Sequence, residues 1–307
     1  MDGTDIMEMN SEMDALVAAL QSDDIEQLMK LTGQGEGGGD RVGLPRLSIN
    51  YDQETEDGKS LTRGDWKIFV DGEFLYASEV KLQALMRMYE YSMWDSEMNE
   101  GRGGFSCKSV QRPKFDGTFP DTEGGNKCGR LTRQEEEQLD QQDPAYLKSR
   151  AVICNQVIYG TISGTFKTGS GNQVKIDKKP VIAYFKKSGF KPIADFISGL
   201  RNQKKLMAHC EITLRTHKNK KGSVTYWTPV PTLSGVVGLS DDDKQLVAKF
   251  DQTVRGHNET VIREFKEAQK LLLSEDDSDL ASDFANASLY SRLHDTSYPG
   301  GRNSLPG

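Results

Sequence analysis

The chain has 307 residues, a net charge of −7, 36% hydrophobic residues and 30 glycines. That length is ample for a buried core, in one large domain or two small ones, while the modest apolar content and the glycines predict ends that do not pack. No run of 18 apolar residues exists and the start MDGTDIMEMNSEMD lacks the basic beginning and apolar centre of a secretory signal, so no membrane partner is expected and a cytoplasmic location is.

Residues 1–40 carry ten acidic side chains and one lysine, a net −9. Within them Ser11 to Leu31 has helical spacing of Leu16, Val17, Leu20, Ile25, Leu28 and Leu31, and Gly33 to Gly39 reads as a flexible linker. From about Leu44 the runs become β-like: LPRLSINY, then WKIFV and EFLYA around Asp71-Gly72, a two-residue hairpin signal. The next run, VKLQALMRMYEYSMW, contains good helix formers, yet Val80, Leu82, Ala84, Met86 and Met88 recur with period two, and a strand is expected. Residues 95–150 are polar, with Arg102, Lys108, Arg112 and Lys114 early and Glu135-Glu136-Glu137 late. They read as a long excursion with a short helix near 132–142.

Residues 151–230 reverse the sign of the chain, with fourteen Lys/Arg against three Asp/Glu, a net +11. Two or three strands are expected over about 151–160, 161–168 and 173–187, then a helix from Pro192 to Lys205 with Ile193, Phe196, Ile197 and Leu200 on one face. Two further strands, 207–217 and 223–230, flank Asn219 to Gly222. This is the element order of a five-stranded OB barrel. The expected fold is therefore mainly β (α+β): an OB-like β-barrel core over 41–273 with inserted and C-terminal helices, between flexible acidic N- and C-terminal arms. Ser240 to Asp243 can cap a helix carrying Leu246, Val247, Phe250 and Val254, and a second helical run, Glu259 to Leu273, can continue it after Gly256. Residues 274–307 open with SEDDSDLASDF and read as a disordered acidic tail.

In the basic segment the cations are threaded among rings rather than blocked together. Lysines and arginines that follow a phosphate backbone, beside flat rings on which bases stack, are what single-stranded nucleic acid requires. The candidate rings are Tyr159, Phe166, Tyr184, Phe190, Tyr226 and Trp227. The candidate cations are Lys167, Lys175, Lys178, Lys179, Lys186, Lys187, Lys191, Arg215, Lys218, Lys220 and Lys221. For any one ring a core role is as good a reading as stacking, and Tyr226 and Trp227 must face opposite sides of a strand. Period two places Arg215 on the face opposite Ile212 and Leu214.

Cys107, Cys128, Cys154 and Cys210 lie far apart with no CxxC pair, and free thiols are expected. Zinc would have to recruit Cys107 and Cys128 with two of Cys154, His209, Cys210 and His217, at spacings unlike a finger, so no metal and no other cofactor is expected. No histidine sits in G-x-S-x-G or H-E-x-x-H, and G-x-x-x-x-G-K-[ST] is absent. The chain does not read as an enzyme.

The runs LPRLSINYD, KPVIAYFKKSGFKPIADFISGL, ITLRTHKNKKGSVTYWTPV and SEDDSDLASDF together resemble single-stranded DNA-binding proteins of bacteriophages, over roughly residues 44–284. The resemblance implies an OB-fold core that binds single-stranded DNA in replication, recombination and repair, and an acidic C-terminal tail that contacts replication proteins. The tail differs in running on some twenty residues past Phe284, without an acidic-aromatic tip. Two rival readings remain open: an RNA-binding or strand-annealing protein, and a virion structural or assembly protein. In the latter the −9 arm would meet the +11 segment of a neighbouring copy in a homo-oligomer.

Overall fold

The computed structural model describes residues 43–274; the acidic helix and linker expected before 40 and the tail expected after 274 lie outside the described residues. In the unit that begins at Pro45 the described residues form nine strands: β1 (Arg46–Ile49), β2 (Trp66–Val70), β3 (Glu73–Ala77), β4 (Val80–Asp95), β5 (Gly104–Lys108), β6 (Ile153–Thr168), β7 (Gln173–Phe185), β8 (Cys210–Lys221) and β9 (Val224–Val236). Four α-helices accompany them among the described residues: α1 (Arg133–Glu136), α2 (Pro144–Ala151), α3 (Phe190–Asn202) and α4 (Asp241–Ser274).

Five of the strands close a barrel. β1, β2 and β3 form an antiparallel meander, whose tight turn places Asp71 at φ 51° and Gly72 at φ 86°, the left-handed pair that a two-residue hairpin demands. β3 then pairs with the far end of β6 (Tyr76 opposite Lys167), β6 with β7, and β7 runs parallel to β1 (Leu47 opposite Ala183), which completes the ring. Alternate residues point inward and fill it with Leu47, Trp66, Ile68, Leu75, Ile158, Ile162, Phe166, Val181 and Ala183.

Of the two or three strands expected over 151–187, the stretches 151–160 and 161–168 form the single strand β6, which has a register shift between Ile162 and Gly164. The ring also draws β1 to β3 from residues 46–77, while β8 and β9 lie outside it as a ribbon attached through β4. That ribbon still belongs to the same core: Ile212, Leu214 and, from α3, Ile193 and Leu200 pack into it, and the Trp66 indole N–H donates to the Leu214 carbonyl at 2.9 Å.

Residues 95–150 are more ordered than a polar excursion suggests, because a second core forms beneath them from Tyr89, Tyr91, Phe119, Val152 and Val261. Cys107 and Cys128 are fully buried there and joined as a disulfide. The expectation of free thiols is thus corrected for this pair; fold proximity, invisible in a 21-residue separation, brings them together. Sulfurs bonded to each other are not available to zinc. Closing a loop of that length stabilises the folded chain by roughly 3 kcal/mol. Asp121, also buried, accepts the backbone N–H groups of Glu123, Gly125 and Cys128 and shapes the loop around the disulfide.

The capping expected at 240–243 is present, since the Ser240 hydroxyl accepts the Asp243 N–H and the Asp243 carboxylate accepts the Ser240 N–H. The helix continues through Gly256, so the two runs read in the sequence are one element, with Phe250, Val254 and Val261 buried.

Gln156 is fully buried, opposite Tyr89 on one side and Phe185 on the other, and neither of its amide atoms has a hydrogen-bond partner. An unmet buried polar group costs about 1–3 kcal/mol. Gln156→Met, of similar length, should therefore raise the stability measured by urea denaturation by about that amount. An unchanged or lowered midpoint would show that the amide is satisfied in solution.

Candidate nucleic-acid interface

A groove of about 230 Å³ opens where β1, the end of β7, the turn into α3 and β9 meet, lined by Arg46, Tyr51, Tyr184, Lys186, Gly189, Trp227 and Pro229 above Trp66 and Phe185. Its position follows from the parallel pairing of β1 with β7. Arg46 lies opposite Ile182, and its guanidinium reaches over the Tyr184 ring at 4.8 Å. Trp227 faces the barrel because period two along β9 buries Trp227 and Pro229 together and turns Tyr226 to the other side.

Two backbone features seat the rings. A Cβ at Gly64 would collide with the Trp227 indole, and Gly64 has φ 94°, so glycine is needed there both for space and for backbone conformation. Buried Asn50 donates to the Asp52 and Thr62 carbonyls and accepts the Asp52 N–H, which holds the turn that presents Tyr51. Tyr51 is 51% exposed and meets Trp227 edge-on, with ring centroids 5.7 Å apart; Trp227 itself is 8% exposed. Lys218, opposite Trp227 on β8, places its ammonium 6.0 Å from that ring.

The groove's electrostatics are one-sided. None of its lining residues is acidic, and among the described residues no carboxylate pairs with Arg46, Lys186, Lys187 or Lys218 within 4.0 Å. Partial burial lowers the Lys186 pKa from the ordinary lysine value, helped by the nearby charges of Arg46 and Lys187. Burial pushes the Tyr184 hydroxyl well above the usual phenol range, so the ring stays neutral at any biological pH. The Arg46 guanidinium over this neutral ring and the like charge of Lys186 beside it favour an anion in the groove.

The sequence candidates divide. Tyr184, Lys186 and Trp227 line the groove, with Lys187 and Lys218 beside it. Tyr159 and Phe166 do not: at 1% and 0% exposure they are core. Phe166 points into the barrel, and Tyr159 is buried against Phe250, donating its hydroxyl to the Gln111 side-chain oxygen at 2.7 Å. Neither can stack a base. Phe190 is half-buried on the opposite side of the α3 start, 6.1 Å from Tyr89. Lys167, Lys175, Lys178 and Lys179 sit along β6 and β7 away from the groove lining, Lys178 within 3.6 Å of Asp243. Lys191 pairs with Asp195 and Arg215 with Glu79, although exposed pairs of this kind are worth only about 0–1 kcal/mol and can exchange partners. Lys220 and Lys221 are exposed near the tip of the β8–β9 ribbon, and Tyr226 is half-buried on the ribbon's other face.

Sequence reasoning missed Arg46 and Tyr51. Both lie within the LPRLSINY run, where a cation and a ring bracket a short apolar stretch, but that run is outside the basic segment. A larger cavity of about 740 Å³ is lined by Asp52, Glu54, Glu56, Asp57 and Glu73 with Lys59 and Lys67. Its excess of carboxylates opposes phosphate, which leaves the smaller groove as the better anion site. The chain has no significant match among protein-family models, curated proteins or solved structures.

A lysine with a lowered pKa holds more neutral amine at a given pH. Lys186 should therefore react with an amine-directed reagent near pH 8, as read by peptide mass spectrometry, and Arg46→Met should slow that reaction. An unchanged Lys186 rate in Arg46→Met would remove the electrostatic coupling described above.

Proposed function

We propose that this protein is a non-catalytic, sequence-tolerant binder of single-stranded DNA, acting in replication, recombination or repair. The observation that carries the reading is the groove in which Tyr51, Tyr184 and Trp227 converge with Arg46 and Lys186 and no acidic residue. The closed five-stranded ring is consistent with an OB-like barrel, a scaffold on which such grooves are common. Fold likeness alone assigns no function, and the groove chemistry bears the weight.

In this reading Arg46, Lys186, Lys187 and Lys218 neutralise successive phosphates, while bases lie against Tyr51 and the accessible part of Trp227. The lining offers no Asn, Gln, Asp or Glu to read base edges, which suits binding that tolerates sequence. The paired cations Lys191 and Arg215 and the ribbon lysines Lys220 and Lys221 add a broader positive field that steers the strand inward. The acidic tail read from 274 onward fits the same reading as a contact for replication proteins.

Fluorescence anisotropy with a labelled oligonucleotide checks it. Affinity should fall with salt at a log-log slope of about −3 for four phosphate contacts, and Arg46→Ala should reduce that slope by about 0.7. Tyr51→Ala, at an exposed position, should weaken binding by about 1–3 kcal/mol. Absence of binding at low salt would sink the proposal. An RNA of equal sequence that competes as well as DNA would redirect it to the RNA-binding alternative.

A further inference from the structure

A second groove, of about 500 Å³, lies on the other side of the α3 start, lined by Arg87, Tyr89, Lys114, Phe115, Phe190 and Arg201 among others. Its composition repeats that of the first: cations beside rings, with Asp116 the single acidic residue in the lining. Phe115 is 63% exposed, meeting Tyr89 edge-on at 5.8 Å, and the Arg87 guanidinium lies 5.2 Å from the Tyr89 ring centroid. A phenylalanine so exposed at a loop tip contributes little to packing. Its open face is available to a planar ligand.

The two grooves are consecutive along the chain. Lys186, Ser188 and Gly189 line the first, and Phe190, Ala194, Ser198 and Arg201 line the second, so one turn of backbone forms the wall between them. Lys187 is exposed on that turn, with its ammonium free of any carboxylate within 4.0 Å among the described residues. A polyanion leaving the first groove therefore passes a cation and meets a second set of cations and an exposed ring.

Resting on the reading given under Proposed function, we propose that the groove of Arg87, Lys114, Phe115 and Arg201 is a second subsite for the same single strand, which crosses between the grooves over the Lys186–Gly189 turn. Phe115 supplies the stacking face. Lys114, Arg87 and Arg201 hold the phosphates on either side of it. The loop that carries Lys114 and Phe115 is held in place by the Arg112 guanidinium, which donates to the Thr118 carbonyl, and by backbone hydrogen bonds between Arg112 and Tyr89.

The experiment is a length series of oligothymidylates from about 4 to about 20 nucleotides, bracketing the roughly 4–16 covered by one OB-type surface. It is run on the wild type, the double variant Lys114→Ala/Phe115→Ala, the variant Arg201→Ala, and Tyr51→Ala. The double variant should match the wild type on the shortest oligonucleotides that bind and be weaker by about tenfold on the longest, consistent with one lost stacked base. Arg201→Ala should show the same length-dependent loss, Phe115→Trp should retain wild-type affinity, and Tyr51→Ala should weaken every length. Affinities of the double variant equal to the wild type at all lengths, or reduced equally at all lengths, would overturn the second subsite while leaving the first intact. If the wild type binds no oligonucleotide, the primary reading itself fails, and this inference with it.

Discussion

The close approach of β4 to β6 at Gly160 is the constraint on which the rest of the structure depends. A side chain there would run into the Gln83 carbonyl oxygen, so the two strands can lie this near only because residue 160 has none. At that place the β4–β6 register also shifts, between Ala84 and Met86. The shift lets two 16-residue strands stay paired from Lys81–Ser163 to Ser92–Ile153 while they bend from one core into the other.

Both cores hang from that bent pair. One half of β6 carries Ile158, Ile162 and Phe166 into the ring and presents the edge on which β3 closes it. The ends of β4 and β6 toward Tyr91 and Cys154 build a second core with α4, stapled by the Cys107–Cys128 disulfide. The turn from β7 into α3 emerges where these two cores meet. Aromatic and basic side chains accordingly line grooves on both sides of residues 186–190.

Burial decides which rings are free. Phe166 has a local sequence context like that of Tyr184, a ring in a strand with lysine nearby, yet the first is core and the second lines a groove. Position relative to the barrel axis separates them, and position depends on which partner strand closes the ring. Trp227 was legible as one half of an in-out pair with Tyr226, but the face it takes depends on Gly64, more than 150 residues away in sequence, making room for the indole. Likewise the disulfide joins residues whose spacing has no signature, because its two cysteines are brought together by β5 pairing with β4 and by the loop folded around Asp121.

Local signals were nonetheless dependable where the determining chemistry is itself local. The Asp71-Gly72 turn, the strand at Val80 with its period-two pattern, the Ser240–Asp243 cap and the amphipathic α3 can all be read from neighbouring residues, since backbone conformation, alternation and capping involve partners only a few positions away. The positive sign of residues 151–230 is of the same kind, a sum that folding cannot alter. By itself the sequence determined a mainly β chain with a basic middle and the residue types that a nucleic-acid surface needs. Tertiary structure alone decided the closing strands of the barrel, the pairing of Cys107 with Cys128, and the recruitment of Arg46, Tyr51, Lys114 and Phe115 from outside the basic segment. Those outcomes rest on contacts between residues far apart in the chain, and no local pattern encodes which distant side chain will fill the space beside a given one.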